Sequence, residues 1–149
     1  MGAPLEEEQA QQIADLLLRV YEIHEVIIAE TGGTPGLRDV ALLHAAVARP
    51  FATYEGQELY PTHFDKAAAL FHSIIKSHPF LDGAKRTALA AALYFLDRSG
   101  LQLPEELPQQ EAVAFCMRIA GEAEGTPAAT VAEIAAWQRQ MLGAASPEE

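Results

Sequence analysis

Apolar side chains recur at three- and four-residue intervals along almost the whole chain, a spacing that leaves little room for anything but packed helices. Ile13, Leu16, Leu17, Val20, Ile23 and Ile27, with His24 among them, trace one face of a first helix. The run Gly32-Gly33-Thr34-Pro35-Gly36 must end it. Asp39 suits the N-cap of a short second helix through Leu42, Leu43, Ala46 and Val47, stopped before Pro50. Residues 50–62 carry two prolines and a central glycine, and read as a loop or a short hairpin-like flap. A third helix is predicted over 62–77 on Phe64, Ala67, Ala68, Phe71, Ile74 and Ile75, and a fourth, rich in Ala and Leu, over 83–99 with Gly100 as its stop. Two more follow over 108–123 and 127–143, the last opening on Thr126-Pro127 with a capping box available to Thr130 and Glu133. The expected fold is all-α, one domain over 1–149, a compact bundle of about six helices with a short flap loop.

A chain of 149 residues, half of them hydrophobic and a fifth charged, is neither disordered nor long enough to favour two domains. No apolar run approaches the roughly 20 residues that span a bilayer, so no membrane association is expected. The segment Met1-Gly2-Ala3-Pro4-Leu5-Glu6-Glu7-Glu8 lacks the basic and apolar stretches of a signal peptide. The single cysteine, Cys116, lies in an apolar run and reads as a small buried hydrophobe. These features together predict a cytoplasmic protein.

The net charge of −11 argues against direct nucleic-acid binding, since phosphate backbones require clustered Lys and Arg. The charge is uneven, however. Residues 1–30 and 101–149 each carry a net −6, while 61–100 set Lys66, Lys76, Lys85, Arg86 and Arg98 against three aspartates for a net +2. A basic centre in an acidic chain suits one small anionic ligand.

That centre contains the segment Ser77-His78-Pro79-Phe80-Leu81-Asp82-Gly83-Ala84-Lys85-Arg86-Thr87. Pro79 disfavours helical geometry at His78, which should end the third helix, and Gly83 permits a tight turn into the fourth. The first turn of a helix presents unpaired N–H groups and the positive end of a dipole, an anion site. Lys85 and Arg86 fall in that turn, where a cation opposes the helix's own dipole, which points to a bound anion. Asp82 beside it could hold Mg²⁺, and His78 could take a proton. A base, a metal ligand and a phosphate cradle are the parts needed for transfer from a nucleoside triphosphate.

The same residues resemble the signature of the Fic/Doc family, His-Pro-Phe-x-(Asp/Glu)-Gly-Asn-(Gly/Lys)-Arg. His78, Pro79, Phe80, Asp82, Gly83 and Arg86 match it, and Lys85 and Thr87 match its Doc (death on curing) branch. Leu89 stands where the Fic branch has a second arginine. The resemblance extends to the segment from Gly32 to Asp39, to Leu59-Tyr60-Pro61 with Lys66-Ala67-Ala68, and to Phe95-Leu96. It implies a Fic-type fold and a catalytic set of His78, Lys85 and Arg86, with His78 as general base on a protein hydroxyl. It also implies that Phe80, Gly83, Ala84, Lys85 and Arg86 surround ATP and that Asp82 holds Mg²⁺. Fic enzymes transfer AMP. The Doc branch transfers the γ-phosphoryl group to a translation factor, elongation factor Tu, and is held in check by a short antitoxin whose C-terminal helix blocks the site. The resemblance therefore implies a toxin of a toxin–antitoxin pair, with kinase chemistry favoured over AMP transfer by Lys85 and Leu89. The Fic self-inhibition pattern, a hydroxyl residue four positions before Glu-Gly, is missing, because Phe51 and Ala120 occupy that place before the Glu-Gly pairs at 55–56 and 124–125.

Ala84 stands where the family has asparagine. Its loss should weaken nucleotide positioning, so the chain is either an attenuated transferase or a binding module whose catalysis has lapsed. The substitution, engineered or natural, is expected to leave stability within about 1 kcal/mol. Of the remaining residues, His24 reads as a packing histidine, and His44, His63 and His72 have no zinc-site spacing. Gly32 to Gly36 form a turn; Arg38 is either a site residue or a partner for a helix end; Tyr54 and Tyr60 anchor the flap or clamp a target peptide.

Overall fold

The computed structural model describes residues 3–123 and 125–141. Helix α3 (His63–Ser77) is the axle of the molecule, with buried residues from Phe64 to Ile75 on every side of it. Thr62 caps its start by accepting the Asp65 N–H at 3.0 Å. Helix α4 (Ala84–Arg98) packs most extensively against α3, through the small residues Ala84, Ala88, Ala91 and Ala92, which let the two backbones come close. Helices α1 (Ala3–Thr31), α2 (Val40–Ala48), α5 (Gln109–Ala120) and α6 (Val131–Met141) surround this pair.

In α1 the buried stripe is Leu16, Val20, His24 and Ile28, a strict four-residue step. The apolar pattern suggested Ile27 in that seam; the step carries Ile28 into it and leaves Ile27 half-exposed. Asp39 caps α2 by accepting the Ala41 N–H at 2.9 Å, as expected. A 3₁₀ turn (Arg49–Phe51) then leads to the flap, a two-residue hairpin of β1 (Thr53–Tyr54) and β2 (Gln57–Glu58). The last helix departs from expectation at its start. Thr126-Pro127 remains irregular, and α6 begins at Val131 behind the capping box, in which Thr130 Oγ1 accepts the Glu133 N–H at 3.1 Å and Glu133 accepts the Thr130 N–H at 3.0 Å. Residues 142–143 of that expected helix lie outside the described residues. Trp137 seats α6 by stacking on Phe115 and meeting Phe71 edge-on. The six helices and small hairpin are the expected all-α bundle, and none of the described helices is long and apolar enough to cross a membrane.

Candidate active site

Helix α3 stops because His78 leaves the helical region entirely. Its backbone lies in the left-handed region at φ 51°, ψ 61°, with its N–H still bonded to Ile74 O at 3.2 Å. Pro79 excludes the ordinary helical alternative, and a left-handed residue with a Cβ costs about 1–2 kcal/mol. The cost is met by ties from the segment that follows α1. Arg38 Nε donates to His78 O at 2.7 Å and Nη2 to Ser77 O at 2.6 Å. The N–H groups of Arg38 and Asp39 both donate to Pro79 O, Leu81 N–H donates to Gly36 O, and Leu37 bridges Phe80. Arg38 is thus the partner of a helix end, one of its two sequence readings. The imidazole of His78 remains exposed to solvent.

Beyond Pro79 the loop turns inward. Phe80 is buried and stacks face to face on His24 of α1, itself 1% exposed. His24 Nε2 donates to the Asp82 carbonyl at 2.7 Å, since that oxygen can only accept. The Asp82 side chain is exposed and accepts two backbone N–H bonds, Oδ2 from Thr34 at 3.1 Å and Oδ1 from Gly83 at 2.9 Å. These bonds, the Thr34 one foremost, hold its carboxyl below the usual carboxylate range, with Arg86 and His24 adding to the effect. A carboxylate offers about four lone-pair positions, so two remain for a cation.

Gly83 caps α4 in the left-handed region at φ 78° and offers no side-chain cap. The first intrahelical bond into this turn is Thr87 N–H to Gly83 O, so the N–H groups of Ala84, Lys85 and Arg86 open the helix without an intrahelical acceptor. A Cβ at Gly83 would lie 3.1 Å from Ile28 Cδ1 and within 4 Å of His24 Nε2 and Arg86 Nη2, so the turn is cradled between α1 and the guanidinium. Arg86 donates to Thr31 Oγ1, which in turn donates to Ile27 O, fixing the arginine to the end of α1.

The donor set fits an anion neutralised by a hard cation: uncapped helix amides, one guanidinium, and one ionised, half-satisfied carboxylate. No cluster of three His, Cys, Asp or Glu side chains that could hold a metal exists among the described residues, so a cation at Asp82 would fill its remaining positions with water or oxygens of the anion.

His78, Asp82, Gly83, Ala84 and Arg86 lie on one loop and the first turn of α4, whereas Phe80, expected beside ATP, is 1% exposed and stacks on His24 beneath that loop. Lys85 stands apart, its ammonium paired with Glu122 at 2.8 Å beyond the end of α5, so what it gives the cradle is its backbone N–H. Ala84 is buried, at 6% exposure, so an asparagine there meets a packed wall. That burial argues for a larger stability cost of asparagine at this position than the ~1 kcal/mol expected from sequence. Sequence reasoning missed Thr31, Gly33 and Thr34. Gly33 has the one legible signal, because a Cβ there would lie 2.8 Å from Asp82 Oδ2, so the turn glycines are also what lets the first loop reach the aspartate. Cys116 is buried beneath Lys85, its thiol pushed up to about 11 by desolvation, and is inert packing.

Comparison with known proteins identifies the family to which the chain belongs. The model of the Fic/DOC family matches residues 8–96. The chain is 54% identical over 72 residues to a protein named Toxin Doc from Mycolicibacterium smegmatis, covering 48% of this chain and 55% of that protein. It is 35% identical over 81 residues to Protein kinase doc from Escherichia phage P1, covering 54% of this chain and 64% of that protein. The matches thus span just over half to just under two thirds of these relatives. The chain belongs to the Fic/DOC family.

Proposed function

We propose that this Fic/DOC protein is a Doc-type toxin that moves the γ-phosphoryl group of ATP onto a hydroxyl of a protein target of the translation-factor class, elongation factor Tu being the leading candidate. The observation that carries the reading is the juxtaposition of an exposed imidazole, held in a strained backbone conformation, with an uncapped helix N-terminus and an ionised carboxylate between them. Strain of this kind persists where the surrounding structure enforces it, and it clusters at reactive sites.

Each residue of the site then has a definite task. The amides of Ala84, Lys85 and Arg86 receive phosphate oxygens at the positive end of α4, and the Arg86 guanidinium, steadied by Thr31, adds charge on the same side. Asp82, kept ionised by Thr34 and Gly83, would hold Mg²⁺. Bound Mg²⁺·ATP supplies the phosphoryl group and neutralises its charge. His78 takes the proton of the acceptor hydroxyl, and its exposure lets a protein substrate reach it. Phe80 lies beneath the loop and holds it rigid.

The names of the two relatives, one a toxin and one a protein kinase, support the phosphoryl-transfer reading over AMP transfer. A toxin so named implies a short antitoxin, whose helix would cover the site, and a location in the cytoplasm beside the translation machinery. Ala84 attenuates the site by removing a side-chain amide from the cradle while leaving the backbone N–H in place. The test is growth. Expression of Ala84→Asn should arrest cells, and addition of His78→Ala or co-expression of the antitoxin should relieve the arrest. A folded but harmless Ala84→Asn protein, equal to its His78→Ala version, contradicts the reading and favours a lapsed binding module.

A further inference from the structure

Five of the ten Lys and Arg side chains pair with a carboxylate among the described residues: Arg19, Lys66, Lys85, Arg118 and Arg139. In a chain with twice as many acids as bases, the cations without such a partner are the informative ones. Three of them, Arg38, Arg49 and Lys76, border one groove between α2 and the C-terminal half of α3. The groove has a volume of about 340 Å³ and is lined by Ala45, Ala46, Arg49, His72, Lys76 and Ser77. Arg38 closes its end by donating to Ser77 O and to the carbonyl of His78, so the groove runs up to the candidate base.

The chemistry of this surface is one-sided. Arg49 donates to Tyr60 Oη, His72 Nδ1 and Ser73 Oγ, all neutral acceptors, so its charge is hydrogen-bonded without being cancelled. A guanidinium can only donate, so His72 Nδ1 is unprotonated and Nε2 carries the ring proton. Burial, with the positive charges of Arg49 and Lys76, holds His72 below its ordinary value and keeps it neutral. The Ser77 hydroxyl donates back to Ser73 O. The groove is therefore rich in donors and positive charge over a floor of alanines. Asp39, the acid next in sequence to Arg38, accepts the Ala41 N–H as the cap of α2.

We propose that this groove is where an acidic segment of the substrate protein docks, beside the hydroxyl presented to His78. The proposal rests on the transferase reading and adds the charge of the substrate to it. Ser77, at the end of the groove, is followed directly by His78, so a segment in the groove lies beside the residue that carries the candidate base. The net charge of −11 makes the chain as a whole repel an acidic segment, so a surface with three cations free of carboxylate partners among the described residues is the place that favours one. The same overall charge of −11 disfavours nucleic acid, which three cations cannot hold against that repulsion.

The test is direct binding of a fluorescein-labelled Glu/Ser peptide, followed by anisotropy at low salt, with a Lys/Ser peptide and a single-stranded DNA oligonucleotide as competitors of other classes. Lys76 is exposed and makes no hydrogen bond or ion pair among the described residues, so Lys76→Glu should leave Tm unchanged while weakening the acidic peptide roughly tenfold. Lys76→Arg should bind like the parent, and Arg49→Gln should also weaken the peptide. Equal binding of the acidic and basic peptides, an unaffected Lys76→Glu variant, or tighter binding of the oligonucleotide overturns the proposal. The readout needs no ATP. In the Ala84→Asn background, transfer whose KM for the protein substrate is not raised by Lys76→Glu overturns the groove alone, whereas peptide binding without any transfer supports the groove and counts against the transferase reading.

Discussion

His24 and Phe80 lie face to face, ring centroids 3.8 Å apart and planes within 6° of parallel, and this stack joins the middle of α1 to the floor of the candidate active site. The same imidazole donates to the Asp82 carbonyl, so one buried side chain fixes both the aromatic anchor of the loop and the residue before the α4 turn. His24→Ala should remove the stack, open a cavity at a buried position and take from the Asp82 carbonyl its side-chain donor, costing about 2–4 kcal/mol. His24→Phe keeps the stack and loses only the hydrogen bond. Chemical denaturation should rank the parent above Phe and Phe above Ala, and equal stability of all three would remove His24 from the support of the site.

His78 should trade stability for activity. Because its φ is positive, His78→Gly relieves the left-handed backbone and should raise stability by up to about 1 kcal/mol. Any transfer measured in the Ala84→Asn background should vanish in the same variant, with ATP binding nearly intact, because the imidazole acts on the acceptor and not on the phosphates. Calorimetry, set beside a transfer assay, checks both halves.

Asp82 makes stability depend on pH in a defined direction. Its folded-state pKa is depressed, so its contribution is fully present above its ordinary value of 3.8 and is lost as pH falls through the lower folded value. The gap in stability between the parent and Asp82→Asn should be constant from neutral pH down to about 4 and should narrow only below that. Asp82→Asn should also weaken Mg²⁺·ATP far more than ATP in EDTA. Equal losses in both conditions would make Asp82 a loop cap alone.

Burial of Ala84 changes what restoring asparagine does. The larger polar side chain enters a packed position at the first residue of α4 and should cost roughly 1–3 kcal/mol in the free protein. Mg²⁺·ATP should recover part of that loss by giving the amide an anion to meet. Thermal unfolding with and without Mg²⁺·ATP should show a larger ligand-induced rise in Tm for Ala84→Asn than for the parent.

The helices were legible because their signals are local. Asp39 and the Thr130–Glu133 box cap where the sequence placed them, and Pro79 with Gly83 marks the loop between α3 and α4. What the sequence did not carry is the long-range stitching of that loop. Thr34 reaches Asp82 through a backbone N–H, which any residue but proline supplies, and Arg38 holds two carbonyls at the end of a helix 39 and 40 residues away. Neither contact leaves a periodic or compositional trace. The destination of Lys85 was hidden for a related reason: the motif fixes the lysine's place on α4, but the tertiary path of the chain after α5 supplies its partner, Glu122. The shift of the α1 seam from Ile27 to Ile28 reflects two apolar neighbours that periodicity alone cannot rank.

The most direct test of the central claim is to incubate the Ala84→Asn protein with cell extract and Mg²⁺, supplying ATP labelled at either the γ or the α phosphate. Phosphoryl transfer predicts γ-label, and no α-label, on a protein hydroxyl, with all transfer abolished by His78→Ala. Transfer of α-label, or γ-transfer undiminished in the His78→Ala protein, would contradict it.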